Sequence, residues 1–358
     1  MNINELIKPA LLVLAGLVIT VGAPGEADAQ KKVKWKMQSA FGGKLAHLGP
    51  SGIRFVDRVD TMSKGKFKIK FFEPGALVPA LECFDSVSKG SIESCWTSPG
   101  YHAGRYPGLA FATTVPFGPG LGEYMAWKWF GGGNEIRDKI YDKHDLIGKD
   151  GFAIGPETSG WFKFEVTDLE QMKGLKMRFF GLGGRALAKI GVSVQLLAGG
   201  DIYPALERGV IQAAEFSMPT IDIGYGFYQI AKHNYFPGWH QQVSVGEFLV
   251  NKTKFNALDE SYQAMIDAAL NEQLIFTYAE SEAQNPAALI EMSEKHGVTR
   301  HRWRDDQLAV FEKAWNEVLA EESATDPTFK EFADSYTSFR AKYKPWGDAQ
   351  KLKDTYLD

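Results

Sequence analysis

The hydrophobic pattern of this chain switches period repeatedly, and that constrains the fold more than any single motif does. Lys66-Phe67-Lys68-Ile69-Lys70-Phe71-Phe72 alternates strictly, so a strand there has one apolar and one basic face. Before it, Val33 to Gln38 alternates in the same way, and Leu45 to Met62 repeats at the 3.6-residue spacing of a helix that faces a core. After it, Ala80 to Ser88 reads as a helix closed by Gly90, and Ser91 to Thr97 as a strand. A β-α-β-α-β order predicts a mostly parallel sheet with helices on its faces.

A loop region from Ser98 to Gly122, rich in glycine, proline and aromatics, leads to a helix predicted over 123–141. A second α/β block follows, with strands at 151–156, 161–166 and 175–180, a helix at 183–190, a strand at 193–197 and a helix at 202–208 capped by Asp201. From about Ala257 the pattern is helical, with one long helix through Glu272 and Glu291 and two shorter ones near Phe311 and Tyr336. The expected fold class is α/β, two lobes with mostly parallel sheets and a helical C-terminal tail, a clam-shell that closes on ligand between its lobes. No repeat of solenoid length is present.

The first residues bear on compartment. An apolar run from Ala10 to Ala23 is followed by Ala27-Asp28-Ala29, the pattern of a secretory signal peptide cleaved near Ala29. Its removal takes Lys8 against Glu5, Glu26 and Asp28, moving the formal charge from −4 to −2. A near-neutral chain without basic runs gives no basis for nucleic-acid binding. Of the two cysteines, Cys83 and Cys95, neither has a C-x-x-C partner. A disulfide is allowed in an oxidising compartment, but the apolar surroundings favour two buried free thiols.

In "MRFFGLGGRALAKIG", Gly181, Gly183 and Ala186 have the G-x-G-x-x-G/A spacing of a dinucleotide loop, and Asp201 stands where a ribose-binding acid would. An exported nicotinamide-dependent oxidoreductase using Gly181 to Ala186 is the alternative this raises. Against it, Lys176 to Phe180 alternates charged and apolar residues, whereas a first dinucleotide-binding strand is buried on both faces. Arg178 is the stronger candidate, because a guanidinium fork matches a carboxylate bidentately and small residues after it let a ligand approach.

Other candidates are acids and amides in apolar settings. Glu215 sits between Ala214 and Phe216 and needs a cation, a donor or a proton. Glu157 precedes Trp161 and Phe162, and Gln241 follows Trp239 and His240. Oxygen-rich groups on separate loops suit Na⁺ or Ca²⁺ better than zinc, and the seven histidines show no H-x-H or H-E-x-x-H pattern. No G-x-S-x-G elbow is present to anchor a hydrolase triad, and no catalytic residue is assigned.

Six stretches carry a resemblance over nearly all of the chain after residue 29: "PGALVPALECFDSVSKGSIE", "TTVPFG", "WFGGG", "DLEQMKGLKMRFFGLGGRALAKIGV", "AGGDIYPALERGVIQAAEF" and "YFPGWH". The sequence resembles the DctP-type substrate-binding proteins of tripartite ATP-independent periplasmic (TRAP) transporters, its keto-acid branch in particular. The resemblance implies two lobes, 30–152 with 243–282 and 153–242, a long connecting helix, and a helical region 283–358 that packs on the lobes or on a dimer partner. It implies a periplasmic receptor, not an enzyme, that binds a small 2-oxo or 2-hydroxy monocarboxylate and hands it to a TRAP permease, with signalling as another use of such a receptor.

By the same resemblance Arg178 clamps the carboxylate, and a metal ion, sodium by precedent with calcium open, is held by Glu157, Glu215, Phe216 through its carbonyl, and Gln241, with Glu157, Glu215 and Gln241 also contacting the substrate. Tyr101, Trp161 and Trp239 would wall the pocket. The chain departs from the family pattern at Glu157 (glutamine there), Phe216 (tryptophan), His240 (tryptophan) and Gln241 (glutamate), which keeps the formal pocket charge and alters the contacts. The "SFRAKYKPW" segment is similar to a tail exchanged between protomers, which implies a homodimer through the C-terminal helices.

Overall fold

The computed structural model describes residues 31–352; the signal peptide expected over 1–29 lies outside them. The first half contains β1 (Val33–Ser39), α1 (Leu48–Met62), β2 (Phe67–Phe72), α2 (Cys83–Ser88), β3 (Ser94–Thr97), α3 (Leu121–Phe130), α4 (Gly133–Asp142) and β4 (Leu146–Ile154). A middle block follows with β5 (Gly160–Phe162), β6 (Lys176–Arg178), α5 (Gly181–Lys189), β7 (Ser193–Gln195), α6 (Gly199–Glu207), β8 (Ala213–Ala214), α7 (Pro219–Tyr225) and β9 (His233–Phe236). The rest is β10 (Ser244–Asn251), α8 (Lys252–Asn256), α9 (Glu260–Glu294), β11 (Thr299–Arg302), α10 (Asp305–Thr325) and α11 (Pro327–Ala349).

Two sheets organise these elements, in the orders β2-β1-β3-β10-β4 and β11-β9-β5-β8-β6-β7. Both are mixed rather than mostly parallel. The β1, β2 and β3 strands run parallel, as their β-α-β-α-β pattern predicts. The chain then leaves for the second sheet and returns as β10, which enters from the opposite end and pairs antiparallel with β3 and β4. In the second sheet β5 is likewise antiparallel to β8 and β9. Alternation reads correctly at short range: Phe67 and Ile69 are buried while Lys68 and Lys70 are exposed. The central strands β3, β5, β8 and β10 are buried on both faces, and Phe55, Val56 and Val59 of α1 cover one face of the first sheet.

The long helix α9 packs on the first sheet and on α7. Its buried stripe runs through Tyr262, Ile266, Leu270, Leu274, Thr277 and Ser281. Tyr262 packs on Phe67 near one end, and near the other Asn285 Oδ1 accepts from the Thr220 hydroxyl at 3.1 Å. The helix expected over 123–141 is broken into α3 and α4 at Gly131-Gly132-Gly133, where Gly132 takes φ 97°, a conformation costly for any residue with a Cβ. Asp201 lies inside the first turn of α6, whose N-cap is Ala198, so it is not the cap. Within the C-terminal region expected to be helical, β11 pairs with β9.

The cysteines are not free thiols. Cys83 opens α2 and Cys95 lies in β3, and they form a disulfide with Cα atoms 6.0 Å apart. Both are fully buried, so the apolar context was real, but α2 folds back on β3 and burial coexists with the bridge.

A charged cluster lies beneath the first sheet's edge. Asp150 Oδ1 faces Lys128 Nζ at 3.0 Å and Arg137 Nη1 at 3.1 Å, and Asp150 Oδ2 accepts from Trp129 and Asn134. Glu247 of β10, beside them, accepts from the Tyr141 hydroxyl at 2.8 Å on one oxygen, and its other oxygen has no partner among the described residues. Burial pushes Glu247 up to about 7 despite Arg137, Tyr141 and Lys128. A carboxyl raised in the folded state favours folding below its unfolded value near 4.5 and loses that advantage as pH rises through about 7. Glu247→Gln keeps the acceptor for Tyr141 and is expected to raise stability at pH 8 by about 1–3 kcal/mol, with little gain at pH 5. Urea denaturation at both pH values checks this; a variant no more stable than the parent at pH 8 rejects it.

Candidate functional site

The second sheet places a cation beside an acid. Strands β6 and β8 run parallel with Arg178 opposite Ala214, so Glu215 emerges next to the guanidinium, and the Glu215 amide donates to the Arg178 carbonyl at 3.0 Å. Arg178 Nη1 donates to the Glu215 backbone carbonyl and, at 3.0 Å, to Glu215 Oε2. Its Nε donates to the Leu197 carbonyl at 3.3 Å. Arg178 and Glu215 are 1% and 0% exposed, which makes this a fully desolvated pair. Nη2 donates to no described protein atom, so one arm of the fork is unengaged while Nε and Nη1 are already taken by protein oxygens.

Loops bring in the other groups. The Glu157 amide donates to the Gln241 carbonyl at 3.1 Å, and a Cβ at Gly238 would lie 2.1 Å from the Glu157 carbonyl oxygen. Loop 155–159 and loop 237–242 are thereby held in contact. Glu157 Oε1 accepts from Ser244 Oγ at 3.1 Å and from Ser217 Oγ at 3.5 Å, and Gln241 Nε2 donates to Ser244 Oγ at 2.5 Å. His240 Nε2 lies 3.6 Å from Glu215 Oε1 and 3.9 Å from Glu157 Oε2. One donor atom from each of Glu157, Glu215 and His240 lies within 4.8 Å of the other two.

Five buried polar atoms here lack a partner among the described residues: Glu157 Oε2, Glu215 Oε1, Gln241 Oε1 and the two imidazole nitrogens of His240. Buried polar atoms are normally satisfied, so a convergent set of orphans points to a missing positive group. Burial, reinforced by Glu215, drives the Glu157 carboxyl well above its ordinary range. Burial pushes Glu215 the same way, but Arg178 and then His240 hold it below. Two carboxylates this close in a dry site cannot both stay charged without a proton or a cation between them. The donor set fits a bound cation.

These groups open on a cavity lined from both sheets. Glu157, Arg178, Phe216, Ser217 and Gln241 contribute from one side, and Phe41, Tyr101, Phe152, Ser98, Thr113 and Ser244 from the other, with Phe180 between. The space holds the centres of water-sized molecules over about 40 Å³, room for a few waters or one compact solute. Tyr101 meets Phe180 edge-on at 5.3 Å, and burial raises its hydroxyl to about 12, so it stays protonated. The Phe216 ring lies 5.1 Å from the guanidinium carbon of Arg178.

Of the residues singled out by sequence, Tyr101, Glu157, Arg178, Phe216 and Gln241 line the cavity and Glu215 stands directly behind Arg178. Trp161 and Trp239 do not line it. Trp161 is buried in β5 with its indole donating to Asp222 at 2.7 Å. Trp239 stacks on Phe117 and Phe311 in the core. His240 was legible only as a departure from the family pattern; its place beside two acids comes from chain-distant loops that no local spacing reveals. Gly183 holds it there: a Cβ at 183 would sit 2.6 Å from His240 Cβ. The glycine motif therefore serves packing, and the Phe180 amide before α5, which a phosphate would need, is taken by Glu215 Oε2 at 3.0 Å.

Comparison with known proteins bears on this geometry. A family model described as bacterial extracellular solute-binding protein, family 7 (DctP) matches residues 51–326. A monocarboxylate 2-oxoacid-binding periplasmic protein of Nostoc sp. PCC 7120 is 34% identical over 321 residues, 89% of this chain and 87% of that one. A TRAP transporter solute-binding protein of Bordetella bronchiseptica RB50, a dimer with calcium and picolinate in one site, superposes with TM-score 0.86 at 31% identity, covering 89% of this chain and 95% of that one. One from Pseudoalteromonas atlantica T6c, with sodium and pyruvate bound, gives 0.85 at 28% identity over 89% and 97%. With the family model matched over most of the length and two mixed sheets facing one cavity, the chain belongs to the DctP family of bacterial extracellular solute-binding proteins.

Proposed function

We propose that this chain is an extracytoplasmic receptor that captures a small 2-oxo or 2-hydroxy monocarboxylic acid together with a cation and delivers it to a TRAP-type permease, without catalysing a reaction. The observation that carries the reading is Arg178, a buried cation with one unused arm facing a cavity of a few waters' volume, beside orphaned acid and amide oxygens. Arg178 Nη2 takes the carboxylate; Glu157, Glu215, Gln241 and the Phe216 carbonyl supply cation contacts, and Tyr101 closes one wall. A bound cation would neutralise the paired acids and offer a positive group to the substrate's oxygens. The relatives that bind pyruvate or picolinate with sodium or calcium support this class of ligand. In this reading residues 30–152 with 243–282 and residues 153–242 are the two lobes, and the receptor works in the periplasm, which the export-signal pattern of the first 29 residues supports.

Chelator-treated protein should be scanned thermally with pyruvate, lactate and their homologues, each with and without added cation. A ligand that binds only the folded state stabilises it by about 2.7 kcal/mol at a concentration 100 times its Kd, so pyruvate or a near homologue is expected to raise the melting temperature by several degrees, more so with cation. No shift for any such acid under any cation rejects the reading. A nicotinamide absorption band in the purified protein would favour the oxidoreductase alternative.

We also infer a homodimer through the C-terminal helices. Phe130 and Trp346 are 85% and 60% exposed, and with Phe339 and Tyr343 they line an apolar groove between α3 and α11. The dimeric Bordetella relative supports this. Trp346→Glu is expected to yield monomer in sedimentation equilibrium; a monomeric parent protein rejects the contact.

A further inference from the structure

We propose that the cation site of this chain is built around an imidazole, and that Glu157, Glu215 and His240 select a divalent transition metal ion of the zinc or cobalt kind over calcium or sodium. This rests on the reading above that a cation joins protein and acid, and it names the cation's class. Sequence spacing argued for a hard, oxygen-bound ion. The structure places a nitrogen donor among the oxygens.

Three observations carry it. First, Glu157 Oε2, Glu215 Oε1 and His240 Nε2 converge while each is buried and without a partner among the described residues. Their separations of 3.6 and 3.9 Å from the imidazole nitrogen exceed by only a few tenths of an ångström the edge of about 3.4 Å that tetrahedral bonds of about 2.0–2.1 Å require. Calcium asks for six to eight oxygens at about 2.3–2.6 Å, and here one corner is nitrogen. Imidazole suits zinc and its neighbours, and with Glu157, Glu215 and His240 as the three protein donors, Gln241 and the Phe216 carbonyl facing the acid in place of the cation contacts assigned above, a four-coordinate ion keeps one position for the acid.

Second, the imidazole is held in place. His240 packs edge-on against the Phe179 ring at 4.6 Å, and its Cβ rests on Gly183, where any side chain would collide. A donor fixed by packing does not have to be reoriented when the ion arrives. Third, charge balances with a divalent ion. It neutralises Glu157 and Glu215, leaving Arg178 to neutralise the acid, whereas a monovalent ion leaves one buried negative charge unpaired.

The test uses chelator-stripped protein titrated calorimetrically, without acid, with zinc, cobalt, calcium and sodium chlorides in turn. Zinc or cobalt is expected to bind at one site per chain at least tenfold tighter than calcium. The zinc-loaded parent should show imidazole scattering in its X-ray absorption spectrum. His240→Phe is expected to lower zinc affinity by about 100-fold or more, beyond the 10–100-fold typical of an outer-shell partner, while changing calcium affinity only a few-fold. His240→Gln is the second variant, and the parent's spectrum decides the question if neither variant folds. Calcium or sodium binding as tightly as zinc, or a zinc spectrum without imidazole, overturns the proposal. Pyruvate is then titrated into zinc-loaded and calcium-loaded protein. Selective zinc binding with no acid bound would keep this site and reject the receptor reading; pyruvate binding equally to calcium-loaded parent and His240→Phe would do the reverse.

Discussion

Arg178→Lys is expected to weaken binding of a 2-oxo acid by at least about 30-fold while the protein stays folded, and Arg178→Ala to cost both binding and stability. The two differ because of what Arg178 touches. Alanine leaves Glu215 buried without its cation, a change worth about 3–5 kcal/mol of folding free energy. Lysine keeps a positive charge near Glu215 but has no fork, so it cannot satisfy Glu215 and the Leu197 carbonyl and still reach the ligand. Truncating one partner of a buried charge pair typically costs about 2–5 kcal/mol in binding, which sets the 30-fold floor. Calorimetric titration with pyruvate in the presence of cation, alongside urea denaturation, separates the effects. Lysine-variant affinity within threefold of the parent would remove Arg178 from the ligand contact.

The double substitution Cys83→Ala with Cys95→Ala is expected to lower stability by about 3 kcal/mol, the order given by closing a loop of some 15 residues. The bridged cysteines are 12 apart in sequence and both fully buried. Neither lines the cavity, so acid affinity should change less than about twofold. Reducing the parent with dithiothreitol should reproduce the loss in chemical denaturation. Equal midpoints for oxidised parent and variant would show that packing of α2 on β3 suffices without the bond.

How much of this was legible in the sequence depended on the range of the contact. Strand and helix positions in the first block could be read because period is a local property, and Arg178, Glu157, Glu215 and Gln241, which the structure brings together, could be singled out because each sits in a recognisable stretch. The split between α3 and α4 was written in Gly131-Gly132-Gly133 but outweighed by the apolar pattern on either side. Strand direction was misjudged where a strand returns from the other sheet, since alternation says nothing of which end a strand enters. The tryptophans show the other failure: Trp161 lies four residues after Glu157 and Trp239 two before Gln241, yet nearness along the chain does not fix where a side chain points across a turn, and both went to the core. His240 is the converse case, a residue whose meaning is supplied by acids 83 and 25 positions away.

The Arg178–Glu215 pair has one more implication, which concerns letting go. A receptor for a permease has to yield its cargo as well as hold it. In this fold the guanidinium is not bare: Glu215 occupies Nη1 through a side-chain oxygen and its own carbonyl. Departure of the acid therefore uncovers a single Nη2 arm in a site whose positive charge already has a resident counter-ion. The energetic step between laden and unladen receptor is shallower than it would be around an isolated buried arginine, which suits repeated cycles of capture and hand-over more than permanent retention.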